Sequence, residues 1–348
     1  MTLDVVCAGA GWATGERHLP ALARDDRVRV VGVVDPHIER ARALAKRFRV
    51  PHAGTTLDEI RVDSVSALTI GAPPMQHAHL VEAALARGWH CLCEKPFVLP
   101  ATRAAELAER ARDSRLVVAV VHNFQFSRGG RRLFRLIDSG RLGEVEAIHG
   151  FQLSNRRRRL PHWHRTLPGG LFLDEASHLL YLIRRILGRL ELRVVDGRVR
   201  ENEVRDVTAT FAHSSVWATL TMDFDASVSE WLLVVVGSEA VAAFDVYRDL
   251  VVVLPNDRGH KAHDVLRTSA ALVGGHLVGF TSSGALMARG RLTYGNDEVV
   301  RRFVDASLGN PERIAGMTAD DGVAVVVCLE EVLDRLGVEP EGSGSHGS

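Results

Sequence analysis

Two short stretches of this chain hold side chains suited to polar chemistry. The first is Cys93-Glu94-Lys95-Pro96, which directly follows an apolar run that reads as a strand. A lysine at the carboxyl end of a strand in an α/β sheet stands where such sheets bind ligands. The proline behind it biases Lys95 toward extended backbone. Its ammonium group can steady negative charge; the plainer alternative is a solvated lysine on a surface loop. The second stretch runs from Gly169-Gly170 to Gly188 and reads as a helix closed by that last glycine. Asp174, His178 and Tyr181 fall at i, i+4 and i+7 and so share one face. An acid, an imidazole and a phenol on an otherwise apolar helix demand an explanation, because burying them unpaired is costly. They form a working site, a solvated stripe, or a satisfied core histidine with its neighbours.

The elements that must position Lys95 alternate between strand and helix. Leu3 to Ala8 is a short apolar strand running into Gly9-Ala10-Gly11-Trp12-Ala13-Thr14, a Gly-x-Gly-x-x-Gly turn with Thr14 in place of the third glycine. The first glycine permits the tight turn, the second lets the backbone approach a pyrophosphate, and the third serves helix packing. The two that touch a ligand are kept. A helix expected over Glu16–Arg24 would offer its N-terminal amides to phosphates. The next strand, Val28–Val34, ends in Asp35, roughly 20 residues on, where a carboxylate accepts hydrogen bonds from an adenosine ribose and repels a 2′-phosphate. This order predicts a dinucleotide site that prefers NAD and uses Gly9, Gly11, Trp12, Ala13 and Asp35. Asp35 also suits the start of a helix over Ile38–Phe48, and Arg40, one turn on, leaves NADP open. A strand over Val65–Ile70 leads to Gly71-Ala72-Pro73-Pro74, a turn against which a nicotinamide can lie, with Pro73 and His77 as candidate contacts. The strand His90–Cys93 delivers Glu94 and Lys95, and a strand over Leu116–Val121 ends in His122-Asn123. Six strands with intervening helices make a doubly wound parallel sheet.

Beyond Asn123 the pattern changes. Strand-like runs over Gly143–Leu153, Leu192–Val199, Val204–Ala212, Trp217–Phe224, Trp231–Val236, Val241–Asp245 and Leu250–Leu254 read as hairpins of an antiparallel sheet. The expected layout is an α/β dinucleotide domain over 1–123, an α+β substrate and oligomerisation domain over 124–336, and a flexible tail over 337–348, with a small-molecule site in the cleft between domains. Arg156 to Arg159 form an unbroken basic run, followed closely by Trp163 and Arg165. Guanidinium forks match phosphate oxygens, and Trp163 offers a flat face for a base or sugar ring. Arg157, Arg159 and Trp163 are therefore candidate contacts to a phosphate-bearing substrate such as a nucleotide-linked sugar. The alternative is arginines that are solvated or paired with a neighbouring subunit. The glycine-rich, weakly helical segment 261–291 matches no motif.

Composition narrows the classes. A net charge of zero lends no support to nucleic-acid or membrane-surface binding. None of the four cysteines has metal-site or redox spacing, and Cys91 and Cys93 share one face of a strand, so core thiols of a cytoplasmic protein are expected, with no metal. The run Val323–Leu329 is taken as the longest apolar one, well short of the ~20 residues that span a bilayer.

These motifs, in this order, resemble the glucose–fructose oxidoreductase / inositol dehydrogenase family (Gfo/Idh/MocA). The matching pieces are Gly9-Ala10-Gly11 with His18-Leu19-Pro20, Asp35, Ala72-Pro73-Pro74 with His77, Glu94-Lys95-Pro96, and Gly169-Gly170 with Asp174 and His178. The resemblance implies a Rossmann domain, a second domain with an open, mostly antiparallel sheet, and homodimers or homotetramers built through that sheet. It also implies NAD(P)-linked hydride transfer at a secondary alcohol or ketone carbon of a sugar, nucleotide sugar or cyclitol. Lys95 would stabilise charge on the reacting oxygen, His178 would pass the proton, and Asp174 would orient His178; Lys95 is itself a candidate proton donor. Asn123 and Tyr181 join Lys95, Asp174 and His178 as candidate substrate contacts. The chain departs from the family at Thr14, at Ala176 in place of a usual glycine, and at Tyr181 in place of a second acid. A non-sugar carbonyl reductase, an internal redox epimerase and a non-catalytic cofactor-binding regulator are the competing readings.

Overall fold

The structure, a computed structural model, describes residues 2–158, 160, 162–257, 259–290 and 292–339. By contact the chain forms two compact units, Met1–Asn123 with Gly295–Val327, and Phe124–Tyr294 with the residues from Cys328.

The first unit is built on a parallel sheet of six strands: β1 (Leu3–Ala8), β2 (Val28–Val34), β3 (His52–Gly54), β4 (Val65–Ile70), β5 (His90–Cys93) and β6 (Val118–Val120). Their order is β3-β2-β1-β4-β5-β6. Helices cover both faces, so the strands are apolar throughout rather than alternating; every residue of β1 is buried. The register aligns Val34, Ala8, Ile70, Cys93 and Val120 in one row. The residues that follow them, Asp35, Gly9, Gly71 and Glu94, therefore leave the sheet along one edge, where strand order reverses between β1 and β4.

The helix expected from Glu16 is instead a π-helical turn, Thr14–His18, followed by one α-turn, α1 (Leu19–Leu22). The Leu19 amide reaches back to the Thr14 carbonyl, and Pro20, with no N–H to give, cannot extend a regular ladder. Helices α2 (Ile38–Phe48), α3 (His77–Ala86) and α4 (Ala101–Asp113) follow the expected alternation. The boundary drawn at 124–336 needs correction. Helix α8 (Asn296–Ser307) buries Val299, Val300, Phe303 and Val304, packs on α1, and pairs Asp297 with Arg24 and Asp305 with Arg27. That apolar stripe puts Gly295–Val327 with the first unit.

The second unit holds α5 (Arg128–Asp138), β7 (Val145–Asn155), α6 (Leu171–Leu187), β8 (Glu191–Arg200), β9 (Glu203–His213), β10 (Val216–Ala226), β11 (Glu230–Gly237), β12 (Ala240–Asp245), β13 (Leu250–Pro255) and α7 (Ala262–Ala288). The sheet order is β13-β12-β11-β7-β10-β9-β8, and the β7–β10 pair alone is parallel. Helix α6 lies on one face, against β9 and β10. Gly150 on β7 makes room for it: a Cβ there would stand 3.3 Å from the Leu179 side chain. The opposite face leaves Phe151, Trp217 and Val194 partly exposed.

Segment 261–291 turns out to contain the longest helix described. Gly275 and Gly279 of α7 press against Val252 and Leu250 of β13, where a Cβ on Gly279 would come within 2.5 Å of Leu250. Leu266, Val273, Leu277 and Phe280 stay exposed. By length and composition α7 is apolar enough to cross a membrane, although polar residues interrupt it; the expectation that rested on the short run Val323–Leu329 did not consider this helix. All four cysteines are buried free thiols. Burial pushes Cys7 up to about 12 and Cys328 up to about 11, and raises Cys91 and Cys93 as well.

Candidate functional site

In the first unit the glycine turn leaves β1 at Gly9, whose φ is 86° and whose added Cβ would collide with the Ala72 amide nitrogen at 2.6 Å. Only glycine meets both conditions. Gly11 is different: a Cβ there would meet nothing nearer than the Gly71 carbonyl at 3.8 Å, so its bare backbone leaves space for a ligand rather than for packing. The packing role of the missing third glycine has moved across the turn. Thr14 is fully buried, and a Cβ on Gly71 would strike its Oγ1 at 2.2 Å. Asp35, 7% exposed, accepts hydrogen bonds from the amides of Ala10 and His37, both at 2.8 Å. Its carboxylate thus clamps the glycine turn as well as standing at the end of β2. Trp12 is 67% exposed with the Arg17 guanidinium 4.8 Å over its ring; Ala13 is half-buried, and Arg40 and Pro73 are exposed. An open glycine cradle beside a buried acid fits a dinucleotide.

Lys95 follows β5 by two residues. The carboxylate before it, Glu94, has a side chain 16% exposed and lies 3.0 Å from Nε2 of the buried His18. Burial works to raise the Glu94 pKa, but the His18 hydrogen bond and charge, together with Lys95, outweigh it and leave the carboxyl below its ordinary value. His77, expected to contact cofactor, is fully buried. Its Nδ1 lies 2.8 Å from the carbonyls of both Pro96 and Phe97, and its Nε2 3.0 Å from that of Ala72. Burial lowers its pKa against the pull of those carbonyls and Glu94. The ring therefore ties the turn after β4 to the turn carrying Lys95, which is a bracing position. His122 is bonded to the Gly316 carbonyl, and the neighbouring Asn123 is 6% exposed.

In the second unit α6 displays Asp174, His178 and Tyr181 on one face, as their spacing required. Tyr181, a candidate substrate contact, is 3% exposed. Its oxygen accepts the Phe124 amide at 2.9 Å and lies 3.1 Å from His178 Nδ1. A phenol donating to Nδ1 leaves the ring proton on Nε2. Phe124, Trp231 and Tyr181 enclose the imidazole, with ring centroids 4.7, 5.2 and 5.6 Å away. The indole N–H of Trp231 is buried without a partner. Sequence reasoning missed Phe124 and Trp231, and it noted His18 as a motif residue without its role beside Glu94; for Trp231 the available signal was an aromatic opening an apolar strand.

The arginine run does not act as a unit. Arg158 turns inward to the buried Glu175, whose other oxygen takes hydrogen bonds from Gln152 and Ser154. Arg157 is exposed and caps the Asn155 side chain through its amide at 2.8 Å. Arg159 lies outside the described residues. Trp163 sits half-buried in a 3₁₀ turn, His162–Thr166.

Residues 3–122 match the GFO/IDH/MocA oxidoreductase family with NAD-binding Rossmann fold, and residues 131–243 match the GFO/IDH/MocA C-terminal domain. A dTDP-3,4-didehydro-2,6-dideoxy-alpha-D-glucose 3-reductase from Streptomyces violaceoruber is 31% identical over 206 residues, 59% of this chain and 60% of that protein. An inositol 2-dehydrogenase from Rhizobium meliloti (strain 1021) is 29% identical over 189 residues, 54% of this chain and 56% of its own length. The aligned region thus spans less than two thirds of either relative. Among solved structures, GenD2 from gentamicin A biosynthesis, in complex with NAD, superposes with a TM-score of 0.75 over 97% of this chain and 94% of its own, at 22% identity. At that identity the likeness is one of fold.

Proposed function

Because this chain belongs to the GFO/IDH/MocA oxidoreductase family, with its NAD-binding Rossmann fold, we propose that it is an enzyme that moves a hydride between a nicotinamide cofactor and the secondary alcohol or ketone carbon of a sugar, nucleotide sugar or cyclitol. The observation that carries this reading is the shared edge of the first sheet, where Asp35, Gly9 and Glu94-Lys95 leave β2, β1 and β5 at one row of the register. When bound, NAD(P) supplies the hydride acceptor or donor. The chain does the rest. Asp35 favours NAD by offering a carboxylate to the adenosine ribose. Lys95 hydrogen-bonds the reacting oxygen and steadies the charge that grows on it. His178 carries the proton at Nε2 while Tyr181 holds Nδ1, and Asp174 balances the charge of the imidazolium. Copies of the chain associate through the outer face of the second sheet, a role supported by the exposure of Phe151, Trp217 and Val194. Buried free thiols support a cytoplasmic location.

The test is a titration of NADH and NADPH into the purified protein, followed by NADH consumption with keto-sugars and keto-cyclitols. NADH is expected to bind more tightly than NADPH. Lys95→Ala is expected to lose ~10²–10³-fold in turnover while NADH affinity holds. Failure of both cofactors to bind overturns the reading, and near-normal turnover in Lys95→Ala removes the lysine from the chemistry.

A further inference from the structure

In the second unit a cavity of about 340 Å³ is lined by Arg156, Arg158 and Arg165 from the loop after β7, by Arg205 from β9, and by His164 and Phe224. Four guanidinium groups converge there from two separate parts of the chain, and the lining carboxylate is Glu203. Two of the four are already committed. Arg158 is tied to Glu175, and Arg205 to Asp225 and Glu203. These carboxylates fix both forks in place and leave Arg158 Nε buried without a partner. The other two, Arg156 and Arg165, are exposed and form no ion pair among the described residues. Cationic side chains usually avoid converging, because each raises the cost of holding the next. Two fixed forks beside two unpaired ones make a cavity short of negative charge; planar forks match the oxygens of carboxylate and phosphate alike, and several forks facing one cavity suit the more highly charged phosphate. Phe224 supplies an apolar wall, and Leu171, the first residue of α6, lines the same cavity a turn before Asp174.

We propose that this cavity binds the phosphate groups of the substrate, so that the substrate is a sugar carried on a nucleoside diphosphate. The proposal rests on the oxidoreductase reading for calling the ligand a substrate, but the charge of the cavity does not depend on it. Arg205, which no sequence motif marks, belongs to the site, whereas Arg157 does not line it.

The experiment is calorimetric titration of uridine diphosphate, and separately of inorganic phosphate, into the full chain and into Arg156→Ala/Arg165→Ala. Neither arginine supports a buried carboxylate, so the double variant is expected to fold, and its circular dichroism spectrum and thermal unfolding midpoint report that it has. Arg132→Ala, an exposed arginine on α5, controls for net charge. Uridine diphosphate is expected to bind the wild type and the control alike, and the double variant at least tenfold more weakly. Equal binding by wild type and double variant, or no binding by wild type, overturns the site. Inorganic phosphate binding as tightly as the diphosphate overturns the substrate assignment in favour of a free-anion site. Loss of NADH binding in the wild type would sink the oxidoreductase reading alone, since the diphosphate titration is read independently of it.

Discussion

Each unit buries a carboxylate immediately before or after a residue proposed for chemistry, and the two are neutralised differently. Glu94, next to Lys95, faces the imidazole of His18. Glu175, next to Asp174, faces the guanidinium of Arg158 and takes further hydrogen bonds from Gln152 and Ser154. An imidazole can give up its proton; a guanidinium keeps its charge throughout the working range. The second pair is therefore a fixed anchor that holds the basic loop onto α6, while in the first a carboxyl held below its ordinary value stands beside Lys95. The difference teaches that adjacency to a residue proposed for chemistry does not define a carboxylate's role; its counter-charge does.

The largest effect expected from breaking this comparison is at the fixed anchor. Arg158→Ala leaves Glu175 buried without its cation, and removing one partner of such a pair costs ~3–5 kcal/mol, here toward the lower end because Arg158 is 28% exposed. Denaturant unfolding measures it, and adding Glu175→Gln should recover most of the loss. If Arg158→Ala alone is as stable as wild type, the pair is not an anchor. At the first pair His18→Ala should cost less, about 1–3 kcal/mol for one unsatisfied buried group, and Glu94→Gln less again.

The smallest effect is a pH dependence confined to the first pair. The Glu94 pKa is lowered in the fold, so its contribution is complete above the unfolded value of about 4.3 and is lost as pH falls through the folded value. Subtracting the stability profile of Glu94→Gln from that of wild type should leave a difference that shrinks below about pH 4.3. A flat difference would show that His18 does not hold the carboxylate charged.

How far the sequence reveals this depends on whether the relevant neighbours are local. The glycine turn, Asp35 and Lys95 were legible because each sits at a strand end, and strand ends in a parallel sheet fall on one edge. The face shared by Asp174, His178 and Tyr181 followed from helical period. What Tyr181 bonds to did not, because the Phe124 amide is far away in the chain. Gly71 compensating for Thr14 and Arg205 joining the loop arginines are likewise products of sheet pairing, to which no local pattern points. Helix α8 carried a clear apolar stripe, yet nothing in that stripe says which unit will cover it.

The buried thiols have a practical consequence. Alkylating reagents attack thiolate, and Cys7, held up to about 12 and fully enclosed, offers almost none near neutral pH; Cys91, Cys93 and Cys328 are shielded in the same way. The wild-type protein should therefore be silent toward maleimides. Ser114 and Ser139 are exposed residues just past the ends of α4 and α5, one in each unit. A Ser114→Cys/Ser139→Cys variant would carry the two reactive thiols needed for a donor and an acceptor dye, with no native cysteine to remove first. Energy transfer between them would then report the separation of the two units in solution, with and without NADH.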